Sequence, residues 1–268
     1  MTKKVPYLYE EQIEHDASAL LAEFSAARGV VIAPPIPIED TIEKHLKLRV
    51  EFDDTHRLFG VPRSGPGLDP DILGAIYFDE RRIVIDESLD PEENRSKEGR
   101  YRYTLAHEGG GHWRLHRHLF ANGSVRTALF DRLPVPSVIC RSSRAKEPIE
   151  WQAEFYASCL LMPRKLVFAA WDEMFPDRKQ RVIQPRTPIE HRYVEVPRPE
   201  GLIDDGECTK ADYLVLERFA KPFARKFLVS PVAMRIRLEK IGFLHRVVPG
   251  QRLLEKLDQL VAGTYGQK

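Results

Sequence analysis

The sequence predicts an α+β fold, a small mixed sheet packed by helices, with a helical C-terminal part. Three observations carry this expectation. Two β-rich runs, Leu73–Phe78 and Arg82–Asp86, flank Asp79-Glu80-Arg81 and read as a hairpin. Apolar residues at helical spacing precede that hairpin and follow it. From Ala211 the pattern is helical again, with Ser230-Pro231 as a start signal and Gly242 as a stop.

Taken in order, residues 10–28 form a first helix with an apolar stripe of Ile13, Ala17, Leu20, Leu21 and Phe24. Pro34, Pro35 and Pro37 then interrupt the chain. A second helix spans about Ile38 to Leu46, with Glu39 and Asp40 suited to its first turn, where the helix dipole favours acids. Leu48–Phe52 reads as a strand, and Gly60–Pro70, rich in glycine and proline, as a loop. Helices are expected from about Lys97 through His116 and from about Pro148 to Leu161, the latter stopped by Pro163. Residues 176–210 are rich in proline and charge without a period and read as a long excursion. The organisation is therefore 1–175, holding the sheet; 176–210, the excursion; and 211–268, a basic helical region resembling a helix-turn-helix.

Of the 268 residues, 43% are hydrophobic and 30% charged, which provides for a core and argues against global disorder. No apolar run approaches the roughly 18 residues of a spanning helix, so no membrane partner is expected. Residues 1–7 carry lysines without an apolar run behind them, so no secretory signal is expected. Cys140, Cys159 and Cys208 are widely spaced and odd in number, which suits reduced thiols in the cytoplasm. The net charge of +1 conceals an asymmetry: from Thr209 onward twelve basic residues face five acidic ones. Arg235, Arg237 and Lys240 fall on the second helix of the helix-turn-helix-like pair, so DNA is a candidate partner of the C-terminal region. A solvated helix surface accounts for the same charges.

The stretch His107-Glu108-Gly109-Gly110-Gly111-His112 nearly contains H-E-x-x-H. In that motif two histidines one helical turn apart hold Zn²⁺, and the glutamate takes the proton of the attacking water. A third ligand usually comes from a later helix, and Glu150 and Glu154 are both offered there. Here, however, the histidines are five apart. At about 100° per residue, four steps return to within about 40° of the starting direction, whereas five overshoot to about 140°. The three intervening glycines soften the turn. Three outcomes are open: a π-bulge absorbs one residue, the helix breaks at the glycines, or the register stays wrong and no ion is held. His116, four after His112, offers an alternative pair, but without a glutamate between.

Five ordered segments give the chain a family likeness. They are Pro34-Pro35-Ile36-Pro37-Ile38; Leu73-Gly74-Ala75-Ile76 before Ile83-Val84-Ile85-Asp86; Tyr103-Thr104-Leu105-Ala106-His107-Glu108; Glu150 with Ala153, Tyr156-Ala157 and Leu160-Leu161-Met162-Pro163; and Phe227-Leu228-Val229-Ser230 with Arg237-Leu238 and Ile241-Gly242. In these the chain resembles the ImmA/IrrE family of zinc-dependent metallopeptidases. The resemblance implies a zincin-like core. It implies His107, His112 and Glu150 as zinc ligands and Glu108 as the catalytic general base, with Glu154 beside them. His112 matches the second histidine only if the additional glycine is looped out, since Gly111 stands at the usual position. The implied activity is endopeptidase cleavage of a protein, in some members a helix-turn-helix repressor of stress or mobile-element genes. The alternative is a catalytically inactive metallopeptidase-like regulator that binds a repressor or DNA.

Overall fold

The computed structural model describes residues 5–61, 72–120, 138–141, 147–179, 181–183 and 210–246. They form a mixed α+β structure divided into two compact units. One comprises Met1–Ala169 with Arg225–Ser230, the other Ala170–Ala224 with Pro231–Lys268.

In the first unit a four-stranded sheet has the order β1-β3-β2-β4, from β1 (Arg49–Asp53), β2 (Ile72–Tyr77), β3 (Arg82–Asp86) and β4 (Val138–Arg141). The expected hairpin is present: β2 and β3 are antiparallel, with Ala75 opposite Val84. β1 joins β3 in parallel, β4 joins β2 antiparallel, and the sheet is therefore mixed. The central strands are buried almost throughout, because both faces are covered. Ala75, Tyr77 and Val84 pack against Phe59 of the short helix α2 (Thr55–Phe59) on one face. Gly74, one residue out of phase with Ala75, faces Thr104 and Glu108 on the other. A buried Asp86 clasps α2 to the end of β3, accepting from the Thr55 hydroxyl at 2.7 Å.

Helix α1 (Glu10–Arg28) buries the five apolar residues its spacing singles out, and Gly29, at φ 64°, ends it in the left-handed conformation. Asp40–His45 is wound as a short π-helix rather than an α-helix. Helix α3 (Glu98–Leu105) carries the almost fully buried Arg102, which donates to Glu39 at 3.1 Å and to the Ile36 carbonyl. That clamp fixes the segment leading into the π turn. The helix expected over Lys97–His116 changes winding at Ala106: Ala106–His116 is π-helical, and one α-turn, α4 (Arg117–Phe120), follows. Helix α5 (Pro148–Leu161) has its predicted bounds and packs against both the π-helix and α1.

The second unit is built around Trp171, contributed by α6 (Arg164–Met174). Its ring stacks on Phe243 at 4.5 Å and on Phe223 at 5.5 Å, and its Nε1 donates to the Lys179 carbonyl. Helices α7 (Lys210–Phe227) and α8 (Pro231–Lys240) follow, the latter starting at the proline after Ser230 and closed by Gly242 at φ 81°. A two-stranded parallel sheet pairs β5 (Arg181–Ile183) with β6 (Leu244–Arg246). The predicted loop from residue 62 onward, and the excursion across residues 184–209, lie outside the described residues. No described helix is long and apolar enough to cross a membrane.

Candidate metal centre

An i→i+5 hydrogen-bonded helix brings the fifth residue over the first, which an α-helix does not. Because Ala106–His116 is wound this way, His107 and His112 converge despite their spacing. Their rings are 4.7 Å apart and their Nε2 atoms 3.0 Å apart. The π-helical outcome is thus the one found.

The glycines do more than soften the turn. A Cβ at Gly109 would fall 2.7 Å from the Ile42 side chain, one at Gly110 2.9 Å from Leu160, and one at Gly111 2.6 Å from the Ala153 Cα. These separations are shorter than carbon atoms tolerate: at Gly111 the obstacle is α5 backbone, which cannot give way, whereas at Gly109 and Gly110 neighbouring side chains would have to shift. Gly111, where the four-residue spacing would place a histidine, faces the backbone of α5 and has no room for any side chain.

That close approach delivers Glu150, in the first turn of α5, to the histidine pair. Its Oε2 lies 3.1 Å from His107 Nε2 and 3.7 Å from His112 Nε2. Ligands held at about 2.0–2.1 Å around a tetrahedral ion lie about 3.3 Å apart. The observed sides of 3.0, 3.1 and 3.7 Å bracket that figure. Two imidazoles and a carboxylate, buried and facing one another without intervening side chains, fit a metal ion. His107, Glu108 and His112 likewise offer three ligand atoms within 4.8 Å of one another.

The electrostatics suit a site that could hold a cation. Burial pushes the His112 imidazole down to about 3, so it is neutral near pH 7. Burial alone would raise the Glu150 carboxyl, but the adjacent imidazoles, His107 foremost through its 3.1 Å contact, outweigh it and hold Glu150 at about 2. Glu108 is 0% exposed, and neither carboxyl oxygen has a hydrogen-bond partner among the described residues. Burial, with the Glu150 charge added, pushes its pKa well above the ordinary 4.5. A nearby cation reverses that preference. Gly74 of β2 makes room for this side chain, since a Cβ there would lie 3.2 Å from Glu108 Oε1.

Of the other residues weighed, His116 is buried behind His112, with its Nδ1 2.9 Å from His112 Nδ1, and is not part of the converging donors. His118 is exposed. Glu154 stands one turn beyond Glu150, its carboxyl raised by burial and its backbone carbonyl accepting from Tyr103. Trp113 packs on Phe78 in the core, whereas Trp151 is only half-buried. In the second unit Arg235 and Arg237 are buried, and Arg235 pairs with Glu239 at 3.0 Å, which leaves Lys240 as the exposed cation of the three. Sequence reasoning missed Gln152, whose Oε1 is 2.9 Å from His116 Nε2. Its signal is a lone amide on the buried stripe of α5, beside Ala153 and Tyr156. No family model matches the chain, and no curated protein matches it.

Proposed function

We propose that the protein is a cytoplasmic zinc-dependent endopeptidase of the ImmA/IrrE type, with a zincin-like core, that hydrolyses a peptide bond in a transcriptional repressor. One observation carries the reading: His107 Nε2, His112 Nε2 and Glu150 Oε2 converge, and a buried, partnerless glutamate stands beside them. The order of the five family-like segments, three of which lie outside the site, also supports it.

His107, His112 and Glu150 would hold the zinc and leave a fourth position open. The chemistry zinc supplies when bound is Lewis acidity, which polarises a scissile carbonyl and makes water acidic near neutral pH. Glu108 takes the proton of the attacking water on one carboxylate oxygen and returns it to the leaving amine nitrogen. Its freedom from other hydrogen bonds suits that role, because an acceptor already engaged would have to break a bond first. The low dielectric around it strengthens its interaction with the developing charges.

A second reading, a metal-holding regulator without catalysis, is favoured by the complete burial of Glu108 and His112, both 0% exposed. A peptide bond reaches them only after a local opening. Metal content and cleavage decide between the two. Purified full chain and Glu108→Gln should both carry near-stoichiometric zinc. Cleavage within a pool of unstructured peptides should fall at least about a hundredfold in the variant, the usual range for loss of a general base. Absence of bound zinc at neutral pH rejects the enzyme and the metal-holding regulator and leaves an inactive regulator without metal. Zinc without cleavage by the native chain leaves the regulator.

A further inference from the structure

Behind His112 a row of polar side chains runs from the metal centre to the N-terminal segment. The Gln152 amide nitrogen lies 2.8 Å from the Pro6 carbonyl oxygen, which can only accept. The amide is thereby oriented, and its Oε1 faces His116 Nε2 at 2.9 Å. An amide oxygen also only accepts, so His116 carries its proton on Nε2 and presents a bare Nδ1. That Nδ1 is 2.9 Å from His112 Nδ1, which must then be the donor. With its proton on Nδ1, His112 has an unprotonated Nε2, and this is the atom aimed at His107 and Glu150. The opposite assignment fails at each step. A proton on His112 Nε2 would require one on His116 Nδ1, and then either leave two acceptors facing each other at Gln152 or, with the amide turned, set its oxygen against the Pro6 carbonyl.

We propose that His116 and Gln152 are positioning residues, a hydrogen-bonded relay that fixes His112 in the metal-binding tautomer before any ion arrives. The inference rests on the metal reading of the site. It assigns His116 a place in the outer shell, where it orients a ligand and raises its basicity, instead of a place on the ion. It also joins the site to residue 6, so that the chain's first described residues help set the ligand.

The test uses the full chain with ¹⁵N-labelled histidine, stripped of metal, and reads ring protonation by long-range ¹⁵N–¹H correlation. The expected result is His112 protonated at Nδ1 and His116 at Nε2. His112 protonated at Nε2 overturns the proposal. Zinc affinity is then measured by chelator competition. Both His116→Leu and Gln152→Leu should weaken binding about 10–100-fold. His116→Asn, whose Oδ1 can accept from His112, should recover most of the loss. Equal weakening by Leu and Asn at position 116, or none by either, overturns the relay. If His116→Leu fails to fold, the native tautomers and Gln152→Leu decide. The two readings fail separately: expected tautomers with no zinc affinity sink the metal reading and leave the relay, whereas tight zinc with the opposite tautomers sinks only the relay.

Discussion

Glu108 meets two opposed demands. Its burial, with no hydrogen-bond partner for either oxygen among the described residues, favours the protonated acid, while the proposed role as a base requires the carboxylate. A bound cation reconciles them, so the same residue should behave differently with and without metal. In the metal-free chain Glu108 holds its proton above the pH at which the unfolded chain releases it. Stability from this group is therefore lost as pH rises above about 4.5, and Glu108→Gln should flatten that alkaline decline, read as urea midpoint against pH. A decline as steep in the variant as in the native chain would remove Glu108 as its source. His112 and His116 act with the opposite sign. Their pKa values fall from the ordinary 6.5 to about 3 and about 4, so acid protonates them in the unfolded chain first. Below about pH 6.5 these two imidazoles outweigh the single carboxyl, and below about 4.5 Glu150, held at about 2, adds to the loss. The metal-free protein should therefore lose stability as pH falls below about 6.5.

At the scale of elements, the π-helix is held by what its glycines touch. Gly111→Ala sets a methyl group against α5 backbone, which cannot step aside, and should destabilise by about 3 kcal/mol. Gly109→Ala meets the Ile42 side chain, which can rotate, and should destabilise less. Thermal unfolding of the two variants checks the order. The same helix is tied to α1 by Arg114, which donates to Asp16 at 3.0 Å and to Glu23 at 3.1 Å. Arg114→Met should lower stability by about 1–2 kcal/mol, since the pairs are partly exposed. The bounds of α5 and α8 were legible because proline, serine and glycine terminate helices by local chemistry. The short strands β4, β5 and β6 were not. Val138–Arg141 finds its partner in Ile72–Tyr77, far back along the chain, and no local pattern encodes such a pairing. Spacing alone offered Glu150 only beside Glu154, because the distance of Glu150 to the histidines is not a property of sequence. Gln152 joins the site through tertiary contact alone.

For the whole molecule, a ligand that binds only the folded chain raises its stability by mass action. Zinc at a hundred times its dissociation constant should add about 2.7 kcal/mol, seen as a rise in Tm of several degrees over chelator-treated protein. His112→Ala should abolish the rise; an unchanged rise would place the ion elsewhere. The charge asymmetry legible in the sequence is in part an exposed one: Arg218, Lys221, Arg225, Lys226 and Lys240 are exposed. Arg235 and Arg237, by contrast, are buried, the former paired with Glu239, and burial is not encoded in charge counts. Two histidines five apart do not match the four-residue spacing of H-E-x-x-H. In this chain a coil of larger girth, with a ridge bare of side chains, takes up the surplus residue, and the electron-pair donors still point at one spot. Searches for distant kin should therefore weigh where lone pairs meet above how many codons separate them.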